Sequence, residues 1–181
     1  LFRSRRVVVS GSVRKYARYA DSGARSARRV DASMRGSGRA FVALNHSLIY
    51  GGQGDRTVSR LLDVIRRSSV IPLPDGGRHT VQPVHVEDMA AAVAAAVARA
   101  AAEGASIDVA GPRPIPYRAM VEACAAAIGR TVRILPVPAL PFVAVETVAG
   151  WFGATLPIAG ELARMAEDKR IDLGPMRRLL A

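Results

Sequence analysis

Two short apolar runs separated by a polar, Arg-rich stretch constrain this chain more than any other feature. Arg6-Val7-Val8-Val9-Ser10 is a β-branched run ending in Ser and Gly, and Ala40-Phe41-Val42-Ala43-Leu44 is a second apolar run. Runs with no polar alternation belong to strands covered on both faces, which is the condition of a parallel sheet. Between them, Tyr16 to Gly38 is polar, and its second half, from about Ser22, reads as a helix stopped at Ser37-Gly38. Strand, helix and strand in this order make a βαβ unit and place the chain in the α/β class.

Beyond the loop from Asn45 to Arg56 the periods alternate again. Val58, Leu61, Leu62, Val64 and Ile65 have helical spacing, Ile71-Pro72-Leu73-Pro74 with Asp75-Gly76-Gly77 reads as a strand end and turn, and Thr80 to Val86 as one strand. Glu87-Asp88 opens an Ala-rich helix, Met89 to Ala102, with acidic side chains at its positive end. Ser106 to Gly111 is a short strand, Tyr117 to Ile128 a helix closed by Gly129, and Val132 to Leu135 a last strand. No internal repeat is present.

With 181 residues, half of them apolar, the chain can bury one sizeable core. Cys124 is the single cysteine, so there is no disulfide framework and no paired metal-ligand spacing; it reads as an inert core thiol in a reducing, cytoplasmic setting. The net charge of +11 raises nucleic acid as a partner. Yet Lys15 and Lys169 are the only lysines among 26 basic residues. With abundant Ala, Val and Gly, this Arg bias marks a GC-rich coding sequence rather than a selected patch, so no nucleic-acid partner is expected. Leu135 to Gly160 is long and apolar, but Pro136, Pro138, Pro141 and Pro157 interrupt it and Glu146 sits near its middle. No transmembrane span is expected, and at most a peripheral membrane association. A first residue of Leu1, followed at once by an apolar strand, reads as a chain that begins mid-protein.

The order of these pieces resembles the extended short-chain dehydrogenase/reductases, the epimerase/dehydratase group. The carriers are a strand ending in Ser10-Gly11-Ser12, the loop Leu48-Ile49-Tyr50-Gly51-Gly52-Gln53-Gly54-Asp55-Arg56, and Gln82-Pro83-Val84-His85-Val86-Glu87-Asp88 ahead of an Ala-rich helix. The Gln-Pro-Val variant and the tail Glu167 to Asp172 are more similar to the atypical branch, which includes a respiratory complex I accessory subunit. The resemblance implies that 1–56 is the late part of an NAD(P)-binding Rossmann domain and 57–181 a small mixed α/β substrate-side module. It implies NAD or NADP as the cofactor of a full-length protein. This chain has no Gly-rich strand-to-helix turn to hold a pyrophosphate, so none is expected to bind to it alone. An apolar strand at the start of the sheet is also expected to drive self-association.

The group's chemistry uses a Tyr acidified by a Lys four residues on, with a strand-end Ser. Gly23 and Ala27 stand at those two positions here, so no catalytic set is intact; Ser10 and Ser12 are candidates for the strand-end Ser, each equally readable as a strand cap. Asn45, His46 and Ser47 replace the loop that approaches the nicotinamide, and are cofactor candidates or else a polar loop. Arg56 and Gln82 are substrate-side candidates, with Asp55-Arg56 alternatively a helix-start ion pair. Asp88 reads as a helix cap and His85 as a satisfied strand residue. Val81 stands where sugar-nucleotide epimerases carry an Arg, which speaks against a nucleotide-sugar substrate; the resemblance implies a carbonyl or sugar-like small molecule. The functional expectation is an NAD(P)-binding, epimerase- or reductase-like protein without the standard Tyr-Lys pair; the alternatives are a non-enzymatic scaffold or redox-sensing subunit, or a non-functional fragment.

Overall fold

The structure, a computed structural model, describes residues 7–17, 22–38, 40–52, 54–55, 57–99, 103–141 and 165–180. The βαβ unit is present: β1 (Val7–Ser12), a 3-10 turn (Val13–Tyr16), α1 (Ser22–Gly36) and β2 (Phe41–His46). β1 lies parallel to β2, with Val7 opposite Phe41 and Ser12 opposite His46. β2 runs two residues beyond the apolar run that foretold it, so Asn45 and His46 end a strand rather than open a loop.

After β3 (Ile49–Tyr50) come α2 (Thr57–Arg67) and β4 (Val70–Pro74). The single strand expected from Thr80 to Val86 is two: β5 (Thr80–Val81) and β6 (Val84–His85). Pro83 has no N–H to give a ladder, and the chain changes partner across Gln82-Pro83. β5 pairs antiparallel with β8 (Ile115–Pro116), β6 parallel with β3. α3 (Val86–Ala98) starts earlier than Glu87-Asp88 suggested, because His85 itself is the N-cap, its Nδ1 accepting from Glu87 N–H at 3.3 Å, and it ends at Ala98, where Arg99 turns to extended backbone. Residues 100–102 lie outside the described residues. β7 (Ser106–Val109), α4 (Tyr117–Ala127), β9 (Arg133–Val137) and α5 (Gly174–Leu180) follow among the described residues.

The main sheet runs β1-β2-β7, all parallel. β7 aligns Ser106 with Ala43 and Val109 with His46. The division at 56/57 therefore does not separate the strands, since this sheet takes its third strand from residues after it. On one face Val42, Leu44, Ile107 and Val109 bury against Met89, Ala92 and Ala96 of α3, with Met176 and Leu179 of α5 packed on the edge. The opposite face buries Phe41 and Ala43 and carries a polar cluster beside them. Asn45 Nδ2 donates to Ser106 Oγ (3.0 Å) and Asp108 Oδ1 (2.9 Å), while Lys15 Nζ donates to Ser106 Oγ (2.9 Å) and pairs with Asp31 of α1 (3.1 Å). A second core, with Ile65 of α2, Ile71 and Leu73 of β4, and Val121 and Ala125 of α4, backs the parallel pair β4-β9. Parallel and antiparallel pairs in this region make it the mixed module that was expected.

No helix among the described residues is long and apolar enough to cross a membrane. Most of the apolar stretch ending at Gly160 lies outside the described residues.

Candidate functional site

β1 and β2 stop side by side, and the chain leaves both at their carboxyl ends. There a cavity of about 540 Å³ opens. Its wall is Ser12, Val13 and Arg14 from the end of β1, His46 to Tyr50 from the end of β2, Asp55 and Thr57 at the start of α2, Val81 and Gln82, Tyr117 of α4, and Lys169 from the tail. A parallel α/β sheet characteristically presents its ligand crevice at this end of its strands, where chain exits and helix starts supply unsatisfied donors.

Four of the sequence candidates meet in this wall: Ser12, His46, Ser47 and Gln82. Ser12 Oγ accepts from Arg14 N–H at 3.3 Å and caps the 3-10 turn. His46 Nδ1 is 2.7 Å from the Ser47 carbonyl, a contact that puts the proton on Nδ1 and leaves Nε2 a lone pair in the neutral ring. Ser47 is buried and its hydroxyl donates to the Gln82 carbonyl. Gln82, 1% exposed, uses both ends of its amide: Nε2 donates to Gly111 O at 2.7 Å, and Oε1 accepts from Ile171 N–H at 2.9 Å. It holds the wall together as well as lining it.

Ser10 and Asn45 are not in the wall. Ser10 is exposed on β1, one pleat short of the cavity, and Asn45 turns to the polar cluster of the sheet face through the bonds given above. Arg56 lies outside the described residues. Asp55, its neighbour, caps α2, with Oδ1 accepting from Thr57 N–H (2.8 Å) and Val58 N–H (3.0 Å).

Arg14, Tyr117 and Lys169 were not foreseen as wall residues. Arg14 packs its guanidinium over Gly23, filling the space that a side chain there would need. No local pattern announces this, because it depends on how α1 returns over the turn after β1. Lys169 had a signal, being one of two lysines in an otherwise Arg-only basic complement. Tyr16 donates its hydroxyl to Asp108 at 3.2 Å, and partial burial together with the Asp108 charge pushes its phenol above the ordinary value. It is therefore a donor and not a proton acceptor near neutral pH. Burial, with Asp55 nearby, likewise raises the half-buried Cys124 thiol, which suits an unreactive packing residue. Among the described residues no three His, Cys, Asp or Glu side chains gather as a metal site.

No family model matches the sequence, and no curated protein matches it. Solved structures do match. A nucleoside-diphosphate-sugar epimerase from Staphylococcus aureus aligns with 97% of this chain and 60% of its own, at 14% identity and a TM-score of 0.68. The triphenylmethane reductase of Citrobacter sp., solved with NADP(H), aligns over the same shares at 14% identity and a TM-score of 0.65. The UDP-glucose 4-epimerase of Thermus thermophilus, solved with NAD, covers 74% of this chain and 51% of its own, at 18% identity and a TM-score of 0.53. The fold is that of these epimerases and reductases. In this epimerase-type fold the chain spans 51–60% of the length of the three proteins.

Proposed function

We propose that this chain forms the substrate-side part of an NAD(P)-dependent protein of the epimerase or reductase type, acting on a carbonyl or sugar-like small molecule. The carrying observation is the cavity at the carboxyl ends of β1 and β2, lined by hydroxyls, an imidazole and cations. The cofactors in the Citrobacter reductase and the Thermus epimerase support NADP or NAD as its partner. A Gly-rich phosphate-binding turn would have to lie outside the sequence described, since none is in it. Proton transfer would not use a Tyr-Lys pair, because Gly23 and Ala27 stand at the two positions the resemblance assigns to it, with the Arg14 guanidinium over Gly23. His46, with Nε2 as an acceptor, is the group in the wall best suited to hold a proton there.

The same filled space favours a second reading, a non-enzymatic scaffold or redox-sensing subunit of this fold. One experiment separates them: the chain, with whatever precedes it in its gene, is titrated with NADPH and NADH and assayed for turnover on a panel of carbonyl and sugar substrates. Binding at or below about 10 μM with turnover supports the enzyme, binding without turnover the sensor, and no binding by the full product overturns the cofactor reading.

A further inference from the structure

We propose that the molecule entering the cavity carries an unbranched alkyl chain, which lies in a groove between α2, β4 and α4; this rests on reading the cavity as the substrate site. The groove encloses about 490 Å³ and shares part of its lining with the cavity. Thr57, the first residue of α2, and Tyr117, the first of α4, belong to both walls. A ligand too long for the first space therefore meets the second beside these two helix starts.

The chemistry of the wall changes at that junction. Beyond it stand Leu61, Ile71, Leu73, Met120, Val121 and Met165, whose side chains have no N–H, O–H or carbonyl to offer. A sugar or nucleobase placed against them would give up hydrogen bonds to water without side-chain replacements, whereas an alkyl chain gains from the same transfer. Arg60, Asp63 and Arg67 are exposed along the rim, where Asp63 pairs with Arg66 at 2.9 Å. Val64, one turn along α2 from Leu61, is 48% exposed and lines the groove, so an apolar surface lies open there. The floor is firm: Ile71, Leu73 and Val121 are buried in the second core. Met120 and Met165 are unbranched thioethers, which adapt to a flexible chain. Polar groups at one end of an otherwise apolar hollow of this size suit a small molecule with a polar head and an apolar tail.

The test is calorimetric titration of the full chain with the uncharged ketones 2-butanone, 2-hexanone, 2-octanone and 2-decanone. Hexyl methyl ether, which matches 2-octanone in length but lacks its carbonyl, is the control. Affinity should climb about fourfold per added methylene until the groove is full. Val64→Glu, which sets a carboxylate at an exposed point of the groove, should flatten that climb, while Val64→Ile keeps it. Affinity that does not rise with chain length, or a rise that persists in Val64→Glu, overturns the proposal. Should Val64→Glu lower the urea midpoint, Thr57→Trp decides instead. It sets a bulky ring at the exposed junction, and an undiminished climb there also overturns the proposal. The reading of the cavity fails separately: equal binding of 2-octanone and hexyl methyl ether counts against a carbonyl site, while a length dependence lost in Val64→Glu still supports the groove.

Discussion

Gly23 shows how one absent side chain shapes this site. Its missing Cβ leaves room that the Arg14 guanidinium fills. Replacing Gly23 by Tyr, as the resemblance to Tyr-Lys enzymes invites, therefore drives a ring into that guanidinium. The single change should lower stability by roughly 1–3 kcal/mol, as overpacking does. Arg14→Ala in the same chain should recover part of the loss, and urea unfolding of the four chains of the cycle checks it; additive losses would show that the two positions do not share this space. A Tyr-Lys pair installed at 23 and 27 therefore requires the Arg14 guanidinium to move aside.

Carboxylates supply a second prediction at this scale. The hydrogen bond from Arg35, with that from Lys15, holds Asp31 below the ordinary aspartate value, and the backbone and hydroxyl of Thr80 do the same for Asp168. On acidification the unfolded chain takes up these protons first. The stability they contribute is therefore complete above the ordinary value of about 3.9 and lost as pH falls through the lower folded values. The urea midpoint should drop between about pH 6 and about pH 3, and less steeply in the double variant Asp31→Asn, Asp168→Asn. An unchanged slope would mean that other carboxylates carry the acid sensitivity.

Among the elements, the strap from Asp168 to Ile171 depends on others for its place. Its anchors are Thr80 and the Gln82 amide, and Gln82 in turn reaches Gly111 and Ser47. Gln82→Met keeps the length of the side chain but leaves Gly111 O and Ile171 N–H without this partner where Gln82 is 1% exposed. A cost of about 1–3 kcal/mol is expected for each group that stays buried and unpaired. Hydrogen exchange should quicken at 168–172 while amides of β2 and β7 keep their protection relative to global unfolding. Equal acceleration everywhere would show that Gln82 supports the whole fold and not the strap.

Taken whole, the molecule presents β1 as the edge of its three-stranded parallel sheet among the described residues, hydrogen-bonded to β2 alone. Val7 N–H points to β2, bonding Ala40 O at 3.2 Å. By the two-residue period of a strand, Ser10 N–H faces the open side. Self-association through this edge is expected, and light scattering should show it rising with concentration. Ser10→Pro removes an edge donor without touching the β1-β2 ladder and should return the chain toward monomer. Association that persists unchanged in this variant would place the contact elsewhere.

The sequence by itself determined the α/β class, the βαβ unit and most helices, because these follow from local periodicity and from stops such as Gly38 and Gly129. It also brought Ser12, His46, Ser47 and Gln82 forward as candidates, and the four converge on one cavity. What it left open depended on distant partners. Asn45 reads the same as His46 along the chain, yet strand alternation sends it to Ser106 and Asp108 on the other face. β7 joins β2 from far along the chain, with α2 and α3 lying between them, so no boundary in composition could show that the sheet continues past residue 56. Arg14 over Gly23, and Lys169 held beside Thr80 by a tail remote in sequence, exist only through tertiary contacts. Local preference sets which elements form; only packing decides which side chains share a wall.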